Sequence, residues 1–170
     1  MCDDAPVQIP PLEFHSIGDR GELLRALTDS LNELRSAVEA CSDQEIDFRP
    51  PEPSDAWTIR EHLGHLADNE ARLLVRLRAA LGERPDRIYS PVLGGARVEQ
   101  SPEVYGYAGI PVEQSFAALA AIRGFVLASV EALPESVLDS HAIAYPDFPG
   151  VGADGRMSVR HILSVMSQHT

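Results

Sequence analysis

Apolar residues recur at spacings of three and four in four stretches of the chain, with polar residues filling the intervening positions. In the first stretch Leu24, Leu27, Leu31, Leu34 and Val38 form one stripe, which predicts a helix from Asp19 to Cys41 with a single face turned to a core. The run RPPEPSDA ends it, because proline disfavours the α conformation at the residue before it and cannot donate within a helix. Thr58 and Glu61 have the spacing of a capping box, with Trp57 at the hydrophobic-staple position before them, so a second helix opens there. Leu63, Leu66, Leu73, Leu77 and Leu81 make its stripe, and Gly82 with Pro85 closes it. Pro111 suits the first position of a third helix, where a missing N–H costs nothing; Phe116, Leu119, Val126, Val130 and Leu133 continue it until Pro134. Ser158 is the N-cap of a fourth, with Val159, Ile162, Leu163 and Met166 apolar.

Almost nothing alternates with the period of two that a half-buried strand needs, so the expected class is all-α. Four apolar stripes are buried most simply in a four-helix bundle. The expected organisation is one domain over residues 1–170, with residues 1–17 an N-terminal tail and the last helix cut short at Thr170 without a C-cap. Long links run from Arg84 to Ile110, between the second and third helices, and from Pro134 to Met157, between the third and fourth. Links of such length in a compact domain are often functional, and these would select a substrate.

Charge and composition narrow the partners. The chain carries 26 acidic and 14 basic residues, a formal net charge of -12, which argues against nucleic acid or an anionic membrane surface and leaves a small molecule as the expected partner. The acidic N-terminus MCDDAPVQIPPLEF lacks the features of a secretory signal, and no apolar run is read as membrane-spanning. Cys2 and Cys41 are too few for a disulfide framework or a structural zinc site, so a cytoplasmic protein is expected. GVGADG has the G-x-G-x-x-G spacing of a dinucleotide loop, but AYPDFP precedes it and its prolines would break a buried strand, so a turn before the fourth helix is expected. Nucleophile elbows, H-E-x-x-H and Glu-x-x-His pairs are absent from the sequence.

Histidine is left to carry chemistry, at positions 15, 62, 65, 141, 161 and 169. His15 in the tail and His141 in a loop read as solvated side chains. His161 is phased away from the Val159/Met166 stripe and reads as solvent-facing. His62 falls where a staple would place a partner for Trp57, so packing accounts for it. His65 and His169 sit on separate helices that a bundle brings together. Yet His65 lies further from the centre of its stripe than His62 does, and periodicity alone would not select it.

The run WTIREHLGHLADNE resembles the second-helix signature of the DinB-like (DinB/YfiT) superfamily, matching it at Trp57, Ile59, Leu63, His65, Leu66, Ala67 and Asp68. MSVRHILSVMSQH resembles the approach to that family's H-x-x-x-H pair on its fourth helix, with the first of the pair at His169. The resemblance implies a four-helix bundle in which these histidines hold a divalent metal, zinc or nickel. Carried over, it makes His65 and His169 metal ligands, while the third family histidine falls beyond Thr170. Three readings stay open: a fragment whose missing end completes the site, which the mid-helix ending favours; a substitute ligand such as Glu61, Asp68, Glu70 or a residue of another subunit; or a lost metal.

Three neutral imidazoles would hold a Lewis-acidic ion and leave a position for water or thiolate. The family's chemistry implies a metal-dependent enzyme, foremost a thiol-dependent S-transferase or isomerase using a low-molecular-weight thiol, with a hydrolase close behind. Asp68 is a candidate to orient a ligand imidazole, against the simpler role of a solvated helix carboxylate. The contrasting expectation is a non-catalytic interaction module with an incomplete metal site, in which the acidic surface and the loop tyrosines Tyr89, Tyr105 and Tyr107 meet a partner protein. A third is a metal-dependent sensor with no open coordination position. A homodimer through an exposed helix face is compatible with such a bundle. The enzyme reading requires His65 and His169 to converge at one end of the bundle beneath an open cavity.

Overall fold

The structure, a computed structural model, describes residues 15–51, 56–82, 102–145, 151 and 154–169. Helix α1, Arg20–Glu39, opens at Asp19, whose carboxylate accepts from the Glu22 N–H at 2.8 Å while Glu22 accepts in return from the Asp19 N–H at 3.0 Å. A one-turn α2, Asp43–Ile46, follows, capped in the same way by Ser42 and Glu45. Helix α3, Ile59–Leu81, begins at the Thr58–Glu61 box that the sequence predicts. Then come α4, Pro102–Tyr105, a 3-10 turn at Tyr107–Gly109, α5, Val112–Glu131, and the short α6, Glu135–Ser140. Strands β1, Ala142–Ala144, and β2, Arg156–Ser158, pair antiparallel with Ile143 opposite Met157, and β2 leads into α7, Val159–Gln168.

Helices α1, α3, α5 and α7 form the bundle. Helix α3 packs on α5 and α7, and α1 packs on the same two from the other side, so α1 and α3 lie on a diagonal. Leu23 and Leu27 of α1, Leu73 and Leu77 of α3, Val126 of α5 and Ile162 of α7 meet in the main core. Leu63, Phe116 and Leu119 form a second cluster with Val38 and Ile46. Each full burial of such a side chain contributes about 1.5–3 kcal/mol, so the stripes that predict the helices also drive their association.

One charged residue joins all four bundle helices. Arg123 of α5, 1% exposed, donates to the Leu27 carbonyl of α1 at 2.7 Å, to Ser30 Oγ at 3.0 Å and to the Met166 carbonyl of α7 at 2.8 Å. Its Nη2 also donates to Glu70 of α3, itself 4% exposed. Burial pushes the Glu70 carboxyl up and the Arg123 charge opposes the rise. Glu70 Oε2 has no hydrogen-bond partner among the described residues.

Two expectations need correction, for His161 and for the apolar runs, and two others gain detail. His161 is buried rather than solvent-facing, because α7 is packed by α1, α3, α6 and β2 and eight of its ten residues are buried. The links contain short helices and a two-stranded ribbon, elements too brief to show a period. Residues 15–17 do not trail freely: His15 exchanges backbone bonds with the Gln168 amide, and the Ile17 N–H donates to Ser164 Oγ at 2.9 Å. Helix α5 is, by length and composition, apolar enough to cross a membrane, contrary to the sequence reading. It nevertheless carries Arg123 into the bundle interior, and its apolarity continues on an outward face of Ala117, Ala118, Ala121, Ala128 and the half-exposed Phe125. The GVGADG segment, described in part, lies between antiparallel strands, with Gly155 at a φ of 66°, and no βαβ unit surrounds it among the described residues.

Candidate metal centre

His65 projects from the second turn of α3, and His169 caps the C-terminus of α7. Their ring centroids are 5.8 Å apart with the planes at 55°. An imidazole nitrogen binds a zinc-type ion at about 2.0–2.1 Å, which puts each ring centroid about 3.2 Å from the ion and two rings about 5–6 Å apart at tetrahedral or somewhat wider angles. The observed separation suits one shared ion. Burial pushes the His65 imidazole down, with Arg72 adding to the effect and Asp68 opposing it. Burial and the neighbouring His65 take His169 down to about 4. Both rings are therefore neutral at pH 7, the form in which imidazole is a ligand.

Aromatic side chains enclose His65. Trp57 stands edge-on at 5.3 Å and Tyr107 lies 6.2 Å away, while His62, the expected staple partner, contacts Trp57 at 5.4 Å and remains exposed. Tyr107 reaches α3 because position 64 is glycine: a Cβ there would meet the Tyr107 side chain at 3.0–3.1 Å. Gly106, at a φ of 68°, makes the turn that delivers it. The Tyr107 hydroxyl donates to Asp68 Oδ2 at 2.9 Å, Arg72 donates to the same oxygen at 2.6 Å, and Tyr105 stacks on Tyr107 at 5.2 Å. Burial and the bond to Asp68 push the Tyr107 phenol up.

Asp68 thus holds Tyr107 and Arg72 beside His65. Asn69 bonds a candidate ligand: its Nδ2 is 3.1 Å from His169 Nδ1, a contact that sequence reasoning missed and that only the packing of α7 on α3 creates. The substitute ligands are engaged elsewhere: Glu61 accepts from the Thr58 N–H at 2.8 Å and from Arg49, and Glu70 is tied to Arg123. His141 Nδ1 is 3.0 Å from Ser140 Oγ at the end of α6. Among the described residues no three His, Cys, Asp or Glu side chains gather to hold a metal, so these residues supply two imidazoles and no third ligand.

The cavity beside His169 is small, about 10 Å³, and is lined by Asn69, Glu70, Leu66, Leu119 and Met166 among others. A larger hollow of about 540 Å³ lies between α1, α2, the start of α3 and α5, lined by Arg35, Cys41, Arg60, Glu113 and Phe116 among others, and no histidine borders it. The convergence of His65 and His169 therefore matches the enzyme expectation, and the open cavity over them is not found among the described residues. Tyr89 and most of the Arg84–Ile110 link lie outside those residues.

A diagonal four-helix bundle carrying a histidine pair between its second and last helices, α3 and α7, defines a recognisable class. The family model of the DinB superfamily matches residues 26–170, and the chain belongs to that superfamily. Among solved structures, the chain is similar to YfiT from Bacillus subtilis, described as "a probable metal-dependent hydrolase with an unusual four-helix bundle topology". The TM-score is 0.70 at 19% identity, over 94% of this chain and 87% of that one, a likeness that shows the fold. A search of curated proteins found no significant match.

Proposed function

We propose that this protein is a divalent-metal-dependent enzyme in which His65 and His169 supply two of the metal ligands and the nucleophile is water or a low-molecular-weight thiol. The observation that carries the reading is the 5.8 Å approach of two half-buried imidazoles, both held neutral by burial, from separate helices. Membership of the DinB superfamily and the description given to YfiT support it. A bound zinc or nickel ion supplies Lewis acidity that makes water or a thiol nucleophilic near neutral pH. The chain's own residues do the rest. A ring nitrogen of His65 and one of His169 would hold the ion, Trp57 and Tyr107 keep water from one side of His65, and Asp68 with Arg72 locks Tyr107 in place. Hydrolysis and S-transfer use the same centre and differ only in which nucleophile occupies it.

The test is metal content by mass spectrometry on the purified protein and on H65A and H169A. One ion per chain, lost in both variants, is the expected result. An ion retained in both, or none in the parent protein, refutes the reading. Turnover of an activated ester against transfer of a small thiol to an electrophile then separates the two reaction classes.

A further inference from the structure

Asn69 is four residues beyond His65, on the same face of α3, so one helix turn presents both side chains towards α7. A neutral imidazole carries its proton on one ring nitrogen and a lone pair on the other, and the hydrogen bond made by one nitrogen decides which is which. An asparagine amide holds a donor and an acceptor on one carbon and, by rotating, offers either to the same neighbour. We propose that Asn69 is the positioning residue that sets the tautomer of His169, and with it the ring nitrogen that carries a lone pair.

Asn69 Nδ2 stands 3.1 Å from His169 Nδ1; with the amide N–H donating there, Nδ1 is the acceptor and the proton sits on Nε2. With the amide turned over, its oxygen accepts from Nδ1–H and the lone pair moves to Nε2. Metal-bound histidines usually donate their other N–H to an oxygen in this way. Rotation of one amide thus converts His169 from a ring that presents N–H at Nε2 to one that presents a lone pair there. Two further observations support the assignment. Asn69 and His169 share the roughly 10 Å³ cavity, too small for more than about one competing water. Asp68, the neighbouring carboxylate, is engaged by Arg72 and Tyr107.

The functional consequence rests on the metal reading above; the tautomer does not. The test is ¹⁵N NMR of the imidazole rings in metal-free protein at pH 8, with H169Q to assign the His169 signals, on the parent protein, N69D and N69L. A carboxylate only accepts, so N69D should hold the proton on Nδ1, opposite to a parent in which the amide N–H donates, whereas leucine offers Nδ1 no hydrogen bond and N69L should shift the tautomer populations away from those of the parent. Far-UV circular dichroism checks that both variants fold, and either one suffices to read the effect. An unchanged tautomer in the folded variants overturns the proposal. Zn²⁺ titration with a chromophoric competitor is the second readout. N69L should bind about 10–100-fold more weakly than the parent and N69D at least as tightly as the parent. Tautomers that shift in proteins that bind no ion support the Asn69 assignment and sink the metal reading; equal Zn²⁺ affinities with unmoved tautomers do the reverse.

Discussion

Acidification should destabilise the metal-free protein through His169. Its imidazole, ordinarily near 6.5, titrates at about 4 in the folded chain, because burial and the nearby His65 disfavour the cation. The unfolded chain takes up that proton first. Stability is therefore full above pH 6.5, falls as the pH drops below it, and levels off below about 4. A gap of about 2.5 units at about 1.4 kcal/mol per unit amounts to roughly 3 kcal/mol, a large part of the 5–15 kcal/mol typical of a domain. The rings titrate as a pair, so the figure belongs to His169 in the presence of His65. Glu70 works the other way, since a carboxyl held above its ordinary value loses nothing on protonation. Urea denaturation in EDTA at pH 4 to 8, on the parent protein and on H169Q, isolates the effect. The two stability curves should converge towards pH 4 by about 3 kcal/mol relative to their separation at pH 8. Parallel curves across that range would refute the reasoning, because they would mean that the ring is as easily protonated folded as unfolded.

Three other substitutions test the packing. R123M leaves the Glu70 carboxylate buried without its cation and should cost about 3–5 kcal/mol in urea denaturation, with part of the loss recovered in R123M/E70Q; an equal loss in both would show that the pair itself contributes little. G64A gains at most about 1 kcal/mol of helix propensity but drives a methyl into Tyr107, so a net loss of up to about 2 kcal/mol is expected, read as a lower Tm, and a stabilised variant would contradict the close approach. Y107F removes a hydrogen bond to a carboxylate, worth about 1.5–3 kcal/mol, and should also change the fluorescence of Trp57, 6.0 Å from that ring; an unchanged Tm and spectrum would count against the contact.

The local parts of this fold are legible in the chain because local chemistry decides them. The Thr58–Glu61 box, Pro111, Pro134 and the leucine stripes place the long helices to within two residues or so. What periodicity misses is tertiary. It allots a helix one buried face, whereas α7 is covered on several sides, so His161 is buried against its phase. It treats charged residues as solvated, and Glu70 and Arg123 are in the interior because they satisfy each other. It ranks His62 nearer the stripe than His65, yet α3 faces both α5 and α7 and is covered by the Tyr107 turn, a wider arc that takes in His65 and leaves His62 outside. His65 and His169 come from family resemblance, and Asn69 comes only from the packed structure.

The reach of Arg123 bears on how the last helix is set along its axis. Apolar ridges repeat every turn, so leucine contacts alone tolerate a slide of α7 by one turn, about 5.4 Å, at modest cost. Arg123 does not tolerate it: its guanidinium grips the Met166 carbonyl three residues before His169 and the Glu70 carboxylate one residue after Asn69. A slipped helix would leave a buried cation missing a partner, so this residue works as a vernier that fixes the height of His169 against His65 and Asn69. The hydrophobic stripes make the helices associate, and one buried arginine holds the two candidate ligands level.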